Sequence, residues 1–213
     1  NTSLGYTEFD DSTMDHTRAD LDGLTTRISI AAGIASRKGM IPVNSAGNSG
    51  SSEWRFISAP ADAIDILAVG AVDDERAVAD FSSRGPTIDG RVKPDVCAVG
   101  LGTVGVSGSG DDVERINGTS FSSPLVCGLT ACLWQLHPEM SAHAIMDAVR
   151  RSASHFHQPN DSIGYGIPDF WRAHLLLGGT DLTGLNAPTF FNVYPLPFSN
   201  ELNIGLFTGE SEE

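Results

Sequence analysis

The chain has 213 residues, 40% of them hydrophobic, enough for one domain with a real core. Twenty-seven acids against 13 bases give a net charge of −14, a field that repels phosphate backbones and anionic lipid and argues against nucleic acid or a membrane surface as partner. No apolar run approaches the roughly 18 residues that span a bilayer, and "NTSLGYTEFD" has neither the basic start nor the apolar core of a signal peptide.

Residues 1–5 read as the end of a strand already under way. Residues 24–35 predict a helix, because Leu24, Ile28, Ala31, Ala32 and Ala35 share one face, with Asp22 as N-cap and Gly39 as the stop. "MIPVNSAGN" then predicts a short strand running into a glycine turn. Strand, helix and strand make a βαβ unit, hence a parallel pairing. Residues 65–72 ("DILAVGAV") and 94–99 ("PDVCAV") lack polar alternation, as strands covered on both faces do. "GLGTVG" satisfies G-x-G-x-x-G after a strand, but "VSGSGDDVERING" follows with no helical period. A flexible loop is expected there rather than a dinucleotide site.

Residues 121–136 predict a central buried helix with Pro124 in its first turns. A second helix is expected over 142–152 with Ser141 as cap, and a third over 169–177, ended by Gly178-Gly179. Residues 179–190 read as linker, and "FFNVYPLPFSNELNIGLF" alternates like the opening of a β module. Cys97, Cys127 and Cys132 make neither a disulfide framework nor a C-x-x-C pair and read as buried small residues. The fold class is α/β, a parallel sheet flanked by helices with a short β-rich C-terminal extension.

The run "NGTSFSSP" (residues 117–124) opens the long helix. A serine hydroxyl is a weak nucleophile and needs a base for its proton and donors for the charge that develops on the attacked carbonyl. At a helix N-terminus the free N–H groups and the positive dipole end supply the second need. Small residues around Ser120 leave room for a substrate backbone.

"GTSFSSP" followed by "LVCGLTACL" resembles the serine motif and helix of the subtilisin-like serine peptidases. "SLG" (Ser3, Leu4, Gly5) is similar to that family's substrate-pairing strand, and "SAGNSG" to its oxyanion segment. "SAPAD", "LAVGAV", "FSSRGP", "KPDVCAVG" and "YGIPDFWRA" match further landmarks in order. The resemblance implies a serine endopeptidase that forms an acyl-enzyme on Ser120, with Asn48 as oxyanion donor and Pro60 as a cis proline. It implies a polypeptide substrate bound extended against Ser3, Leu4 and Gly5. Ser45, Ala46 and Gly47 would wall the pocket and Ser58 would lie near its floor. No acid stands among these residues, so an uncharged, mostly apolar preference is expected.

The resembled family keeps its catalytic Asp and His upstream of the "SLG" strand. None of His16, His137, His143, His155, His157 and His174 is followed by Gly-Thr; His16 sits in a polar connection, and the other five suit surface positions. Residues 1–178 therefore read as the C-terminal part of the catalytic domain. The missing N-terminal half would be its partner, and the fragment alone is expected to fold poorly and be nearly inactive. A non-catalytic binding module of the same fold is the alternative. The loop carrying Glu8, Asp10, Asp11, Asp15, Asp20 and Asp22 makes calcium imaginable, but its spacing fits no calcium loop, so no metal or other cofactor site is assigned. Residues 191–213 resemble the start of a Bacteroidetes type IX secretion sorting domain, with Tyr194-Pro195-Leu196-Pro197 where that family has Y-P-N-P. This implies a secreted or cell-surface protein.

Overall fold

The structure is a computed structural model that describes residues 1–106, 108, 110 and 112–180, and the backbone of two strands between 190 and 207. Its centre is a parallel sheet of β1 (Val43–Ser45), β2 (Leu67–Val72) and β3 (Val96–Val99), in that order, with Val43 opposite Leu67 and Val69 opposite Val96. Thr2 adds a parallel bridge to Asn44 on the outer side of β1. The expected βαβ unit is present in its parallel pairing and its connecting helix α1 (Arg27–Arg37), but residues 1–5 form a single bridge at Thr2 rather than a strand.

All six residues of β2 are buried, as its unbroken apolar run requires. Its alternating side chains feed two cores. Leu67 and Val69 join Val126, Leu133, Ile145, Met146 and Val149 from α2 (Thr119–Leu136) and α3 (Ala142–Ser152). Ala68 faces the opposite way, into a cluster with Leu21, Ala46, Ile57 and Ala59 against which Ile28 of α1 packs. Each large aliphatic side chain fully buried in this way contributes about 1.5–3 kcal/mol.

Helix ends follow their capping chemistry. Ser141 caps α3 through the Ala144 N–H, and Asp169 caps α4 (Phe170–Leu176) through the Arg172 N–H. The predicted first helix starts later than its apolar face suggested. Thr26 is the true cap, because Asp22 instead accepts the Leu24 and Thr25 N–H groups, both at 2.7 Å, in a turn that leaves Leu24 exposed. Gly39, at φ +90°, ends α1 as expected.

The expected loop at 103–116 is a hairpin of β4 (Thr103–Val106) and β5 (Val113–Ile116) in antiparallel register. Alternation in "TVGV" and "VERI" outweighs the glycines around them. The long helix is buried on one side only: Leu125 and Leu129 are exposed while Val126, Thr130 and Leu133 are buried. Of the cysteines only Cys97 is buried; Cys127 is half-buried and Cys132 exposed, because they ride different faces of α2. Two C-terminal strands, β6 (Phe190–Tyr194) and β7 (Asn203–Phe207), pair antiparallel. The linker expected at 179–190 and the Pro195-Leu196-Pro197 segment lie largely outside the described residues.

Asp95 joins the sheet to its covering helices. It accepts from Lys93 Nζ at 2.6 Å, Arg150 Nε at 2.7 Å and the Ala68 N–H at 2.8 Å. Burial works to raise its pKa, but the Lys93 and Arg150 charges outweigh burial and hold the carboxyl below the usual range.

Candidate active site

Gly118 enters α2 at φ +153°, a conformation open essentially to glycine alone, and offers no side-chain cap. The first helical N–H, that of Thr119, is capped from a distant loop: Asn48 Oδ1 accepts it at 2.9 Å and accepts the Thr119 hydroxyl at 2.9 Å. That hydroxyl in turn accepts the Gly47 N–H at 3.2 Å. An N–H can only donate, so it fixes which end of the Asn48 amide faces the helix. Asn48 Nδ2 has no partner among the described residues and lies close to where a Cβ at Gly118 would stand.

Ser120 is the second residue of α2, so its own N–H has no intrahelical acceptor, and nothing else among the described residues takes it. Pro124 cannot donate to the Ser120 carbonyl one turn back; the Ser3 hydroxyl does so instead, at 3.2 Å. Among the described residues the Ser120 hydroxyl has only a 3.5 Å contact, with the Ser3 carbonyl. It is neither sunk in the core nor committed to a strong partner.

An open cleft of about 240 Å³ brings together Ser3, Gly5, Ser45, Gly47, Asn48, Ser58 and Ser120. It does not include Leu4 or Ala46. Leu4 points outward from its extended segment and is exposed, while Ala46 is fully buried under the sheet. A Cβ at Gly5 would collide with Ser58 Oγ, so a bare backbone is required beside the floor. Thr7, Ser49 and Thr119 also line the cleft and were not singled out in the sequence. Thr119 was legible within "NGTSFSSP", since a residue preceding a candidate nucleophile occupies the first turn. Ser83 was hidden in "FSSRGP": fully buried, it accepts the Ser49 N–H at 3.0 Å and braces the turn.

No ionisable side chain lines the cleft among the described residues, and none of the six histidines does. His16 lies edge-on to Phe9 at 5.2 Å in a separate hollow. His143, His155 and His157 are exposed as expected, but His137 is not a surface residue. It is buried where the end of α2 meets α4, its Nε2 2.9 Å from His174 Nδ1.

Four of the six carboxylates in the acidic loop, those of Asp11, Asp15, Asp20 and Asp22, accept local backbone N–H groups. Asp11 accepts the Thr13 N–H, Asp15 the Phe9 N–H and Asp20 the Thr17 N–H. The Thr13 hydroxyl and N–H hold Asp11, and the Thr17 N–H and hydroxyl hold Asp20, below the ordinary carboxylate range. Among the described residues, Asp73, Asp74 and Glu75 are the one group of three potential metal-ligating side chains placed together.

Residues 1–166 match the Subtilase family of peptidases. The chain is 30% identical over 174 residues to membrane-bound transcription factor site-1 protease of Mus musculus, covering 75% of this chain and 16% of that protein. Subtilisin DY of Bacillus licheniformis is 33% identical over 143 residues, covering 67% of this chain and 48% of the relative. The chain thus spans 16% to 48% of the length of these two relatives. Among solved structures, the self-cleaved protease domain of PatA superposes with a TM-score of 0.57 at 27% identity, over 72% of this chain and 55% of that one. The motif order and the parallel sheet agree with these matches, and the chain belongs to the subtilase family of serine proteases.

Proposed function

We propose that this chain contributes the nucleophile, the oxyanion donors and the substrate-pairing strand of a serine endopeptidase. The observation that carries the reading is the Asn48 amide. Thr119 locks its oxygen while its nitrogen, without a partner among the described residues, lies in the cleft that holds the Ser120 hydroxyl.

Substrate lies extended beside residues 3–5, as an added strand. Ser120 Oγ adds to the scissile carbonyl carbon and its proton passes to a general base. The carbonyl π electrons move to oxygen, which accepts hydrogen bonds from Asn48 Nδ2 and the Ser120 N–H at the positive end of α2. Collapse expels the amine, protonated by the base, and leaves an ester on Ser120. Water then adds to that ester and releases the acid. The base in this reading is a histidine backed by a carboxylate on polypeptide outside residues 1–213. The cleft's hydroxyls and glycines support an uncharged residue before the cleaved bond, without favouring a strongly apolar one. Export to the cell exterior, directed by residues 191–213, and action without a metal belong to the same proposal.

The absence of histidine from the cleft lining among the described residues favours a second reading, a peptide-binding module that keeps the fold. Proteolysis of a denatured protein substrate by the intact protein and by its Ser120→Ala variant separates the two. The peptidase reading expects turnover that falls on the order of 10⁶-fold in the variant, the loss known for the nucleophile of subtilisin. Equal turnover in both, or none in a folded intact protein, rejects it.

A further inference from the structure

A second cavity, of about 220 Å³, gathers Arg18, Arg55 and Arg84 around Phe56. The three come from separate segments. Arg18 opens a short 3-10 turn (Arg18–Asp20), Arg55 and Phe56 precede the cleft residue Ser58, and Arg84 lies in "FSSRGP". Backbone bonds fix their meeting: the Arg84 N–H donates to the Arg55 carbonyl at 3.0 Å, and the Ile57 N–H to the Arg84 carbonyl at 2.9 Å. The Arg18 guanidinium carbon lies 3.7 Å from the centre of the Phe56 ring and that of Arg55 lies 5.3 Å from it. Two cations thus share one aromatic ring, an arrangement that steadies the guanidinium planes without using their N–H groups.

Those N–H groups have no internal acceptors among the described residues. Among the described residues, none of the three side chains forms an ion pair or donates a hydrogen bond, and the buried Nε atoms of Arg18 and Arg84 are without partners. By contrast, Arg91, Arg150 and Arg151 each meet an aspartate. Asp161 faces the cavity, yet what it shares with this region is its backbone carbonyl, which accepts the Gly85 N–H. Arg55 is held at φ +47°, a strained setting for a residue with a side chain. Clustering three unpaired guanidiniums is unfavourable in itself, and in a chain of charge −14 acidic partners are plentiful.

We propose that this cavity binds an oxyanion: a phosphate, sulfate or carboxylate group. Planar guanidinium forks match such oxygens two at a time, and three of them around one hollow favour a group with several acceptor oxygens. The volume is below the roughly 300–1,000 Å³ of sites that take whole drug-sized ligands, so it suits one such group with a few waters. The cavity and the substrate cleft are built from adjoining residues: Ser58 follows Arg55 by three positions, and the cleft-bracing Ser83 precedes Arg84. The oxyanion therefore comes either from a free inorganic ion or from an acidic side chain of a bound polypeptide.

The test titrates the intact protein with inorganic phosphate, and separately with a short peptide bearing one Glu or the matching Gln. Ionic strength is held constant, and binding is read by calorimetry and thermal unfolding. Arg18→Gln, Arg84→Gln and, as control, Arg151→Gln are titrated alongside, with circular dichroism as the check on folding. Saturable binding of phosphate or of the Glu peptide is expected, weakened at least tenfold in Arg18→Gln and Arg84→Gln and unchanged in Arg151→Gln. Phosphate binding alone identifies the free ion as the source. Binding of the Glu but not the Gln peptide, displaced by phosphate, identifies the polypeptide. Arg18 sits on a surface turn, so its variant carries the test if Arg84→Gln does not fold. No saturable binding of either probe, or equal binding in the arginine variants, overturns the proposal.

Discussion

Asn48 uses the two ends of one amide for different purposes, and substitutions can separate them. Its oxygen caps α2 through the Thr119 N–H and hydroxyl, both at 2.9 Å, while its nitrogen is the proposed oxyanion donor. Asn48→Ala removes both, so stability falls by about 0.5–2 kcal/mol for the lost cap. Its kcat falls by about 10²–10³, the loss known for the oxyanion asparagine of subtilisin. Asn48→Asp keeps an acceptor for Thr119 and places negative charge at a helix N-terminus, worth about 0.3–1 kcal/mol in its favour. It also turns a donor into an oxygen that repels the developing oxyanion. The expected pattern is wild-type or slightly higher unfolding temperature with kcat reduced at least as far as in Asn48→Ala. Thr119→Val removes one of the two anchoring bonds and is expected to cost about tenfold or less in kcat. Scanning calorimetry and kcat on a fluorogenic peptide amide provide the readouts. Asn48→Asp retaining kcat within tenfold of wild type refutes the assignment of its nitrogen.

Other consequences concern the frame around the site. Asp95→Asn leaves Lys93 and Arg150 without their shared carboxylate and is expected to cost about 3–5 kcal/mol. That corresponds to roughly 6–20 °C in unfolding temperature for a domain of this size. Because Asp95 titrates below the ordinary carboxylate range, its stabilisation is complete above about pH 3.9 and is lost as the pH falls beneath that value. Acid titration of stability should therefore be less steep in Asp95→Asn than in wild type. Burial pushes the Cys97 thiol up to about 12, so thiol-reactive dye is expected to label Cys132 first, Cys127 next and Cys97 only on unfolding. Gly118→Ala, forced to φ +153° with its Cβ 3.5 Å from Asn48 Nδ2, should destabilise by about 1–3 kcal/mol and slow acylation. Equal stability and rate would show that the glycine's conformation is dispensable.

Much of the frame was written in local pattern. The unbroken run at 67–72, the Ser141 cap and the Gly39 and Gly178 stops each reflect a preference that acts within a few residues, and the structure keeps them. Where several local signals competed, the sequence was a poorer guide. Asp22 could cap a helix or a turn, and it caps the turn because Thr26 holds the helix start. The glycines at 100–110 masked a strand alternation that pairing across the hairpin made decisive. The half-open face of α2 and the burial of His137 depend on which elements cover them, and no neighbouring residue reports that. At the site, the serine and asparagine were readable from motifs. Their supports, Thr119, Ser83 and the Ser3 hydroxyl that stands in for the N–H lacking at Pro124, come from segments up to 117 residues apart and emerge only on folding.

Ser120 as the nucleophile is tested most directly by reacting the folded, intact protein with a fluorophosphonate and mapping the adduct by peptide mass spectrometry. A single phosphonylated residue, Ser120, lost in Ser120→Ala and strongly slowed in Asn48→Asp, is the predicted outcome. An adduct on Ser3, Ser45 or Ser58 instead, or no adduct in protein shown to be folded, contradicts it.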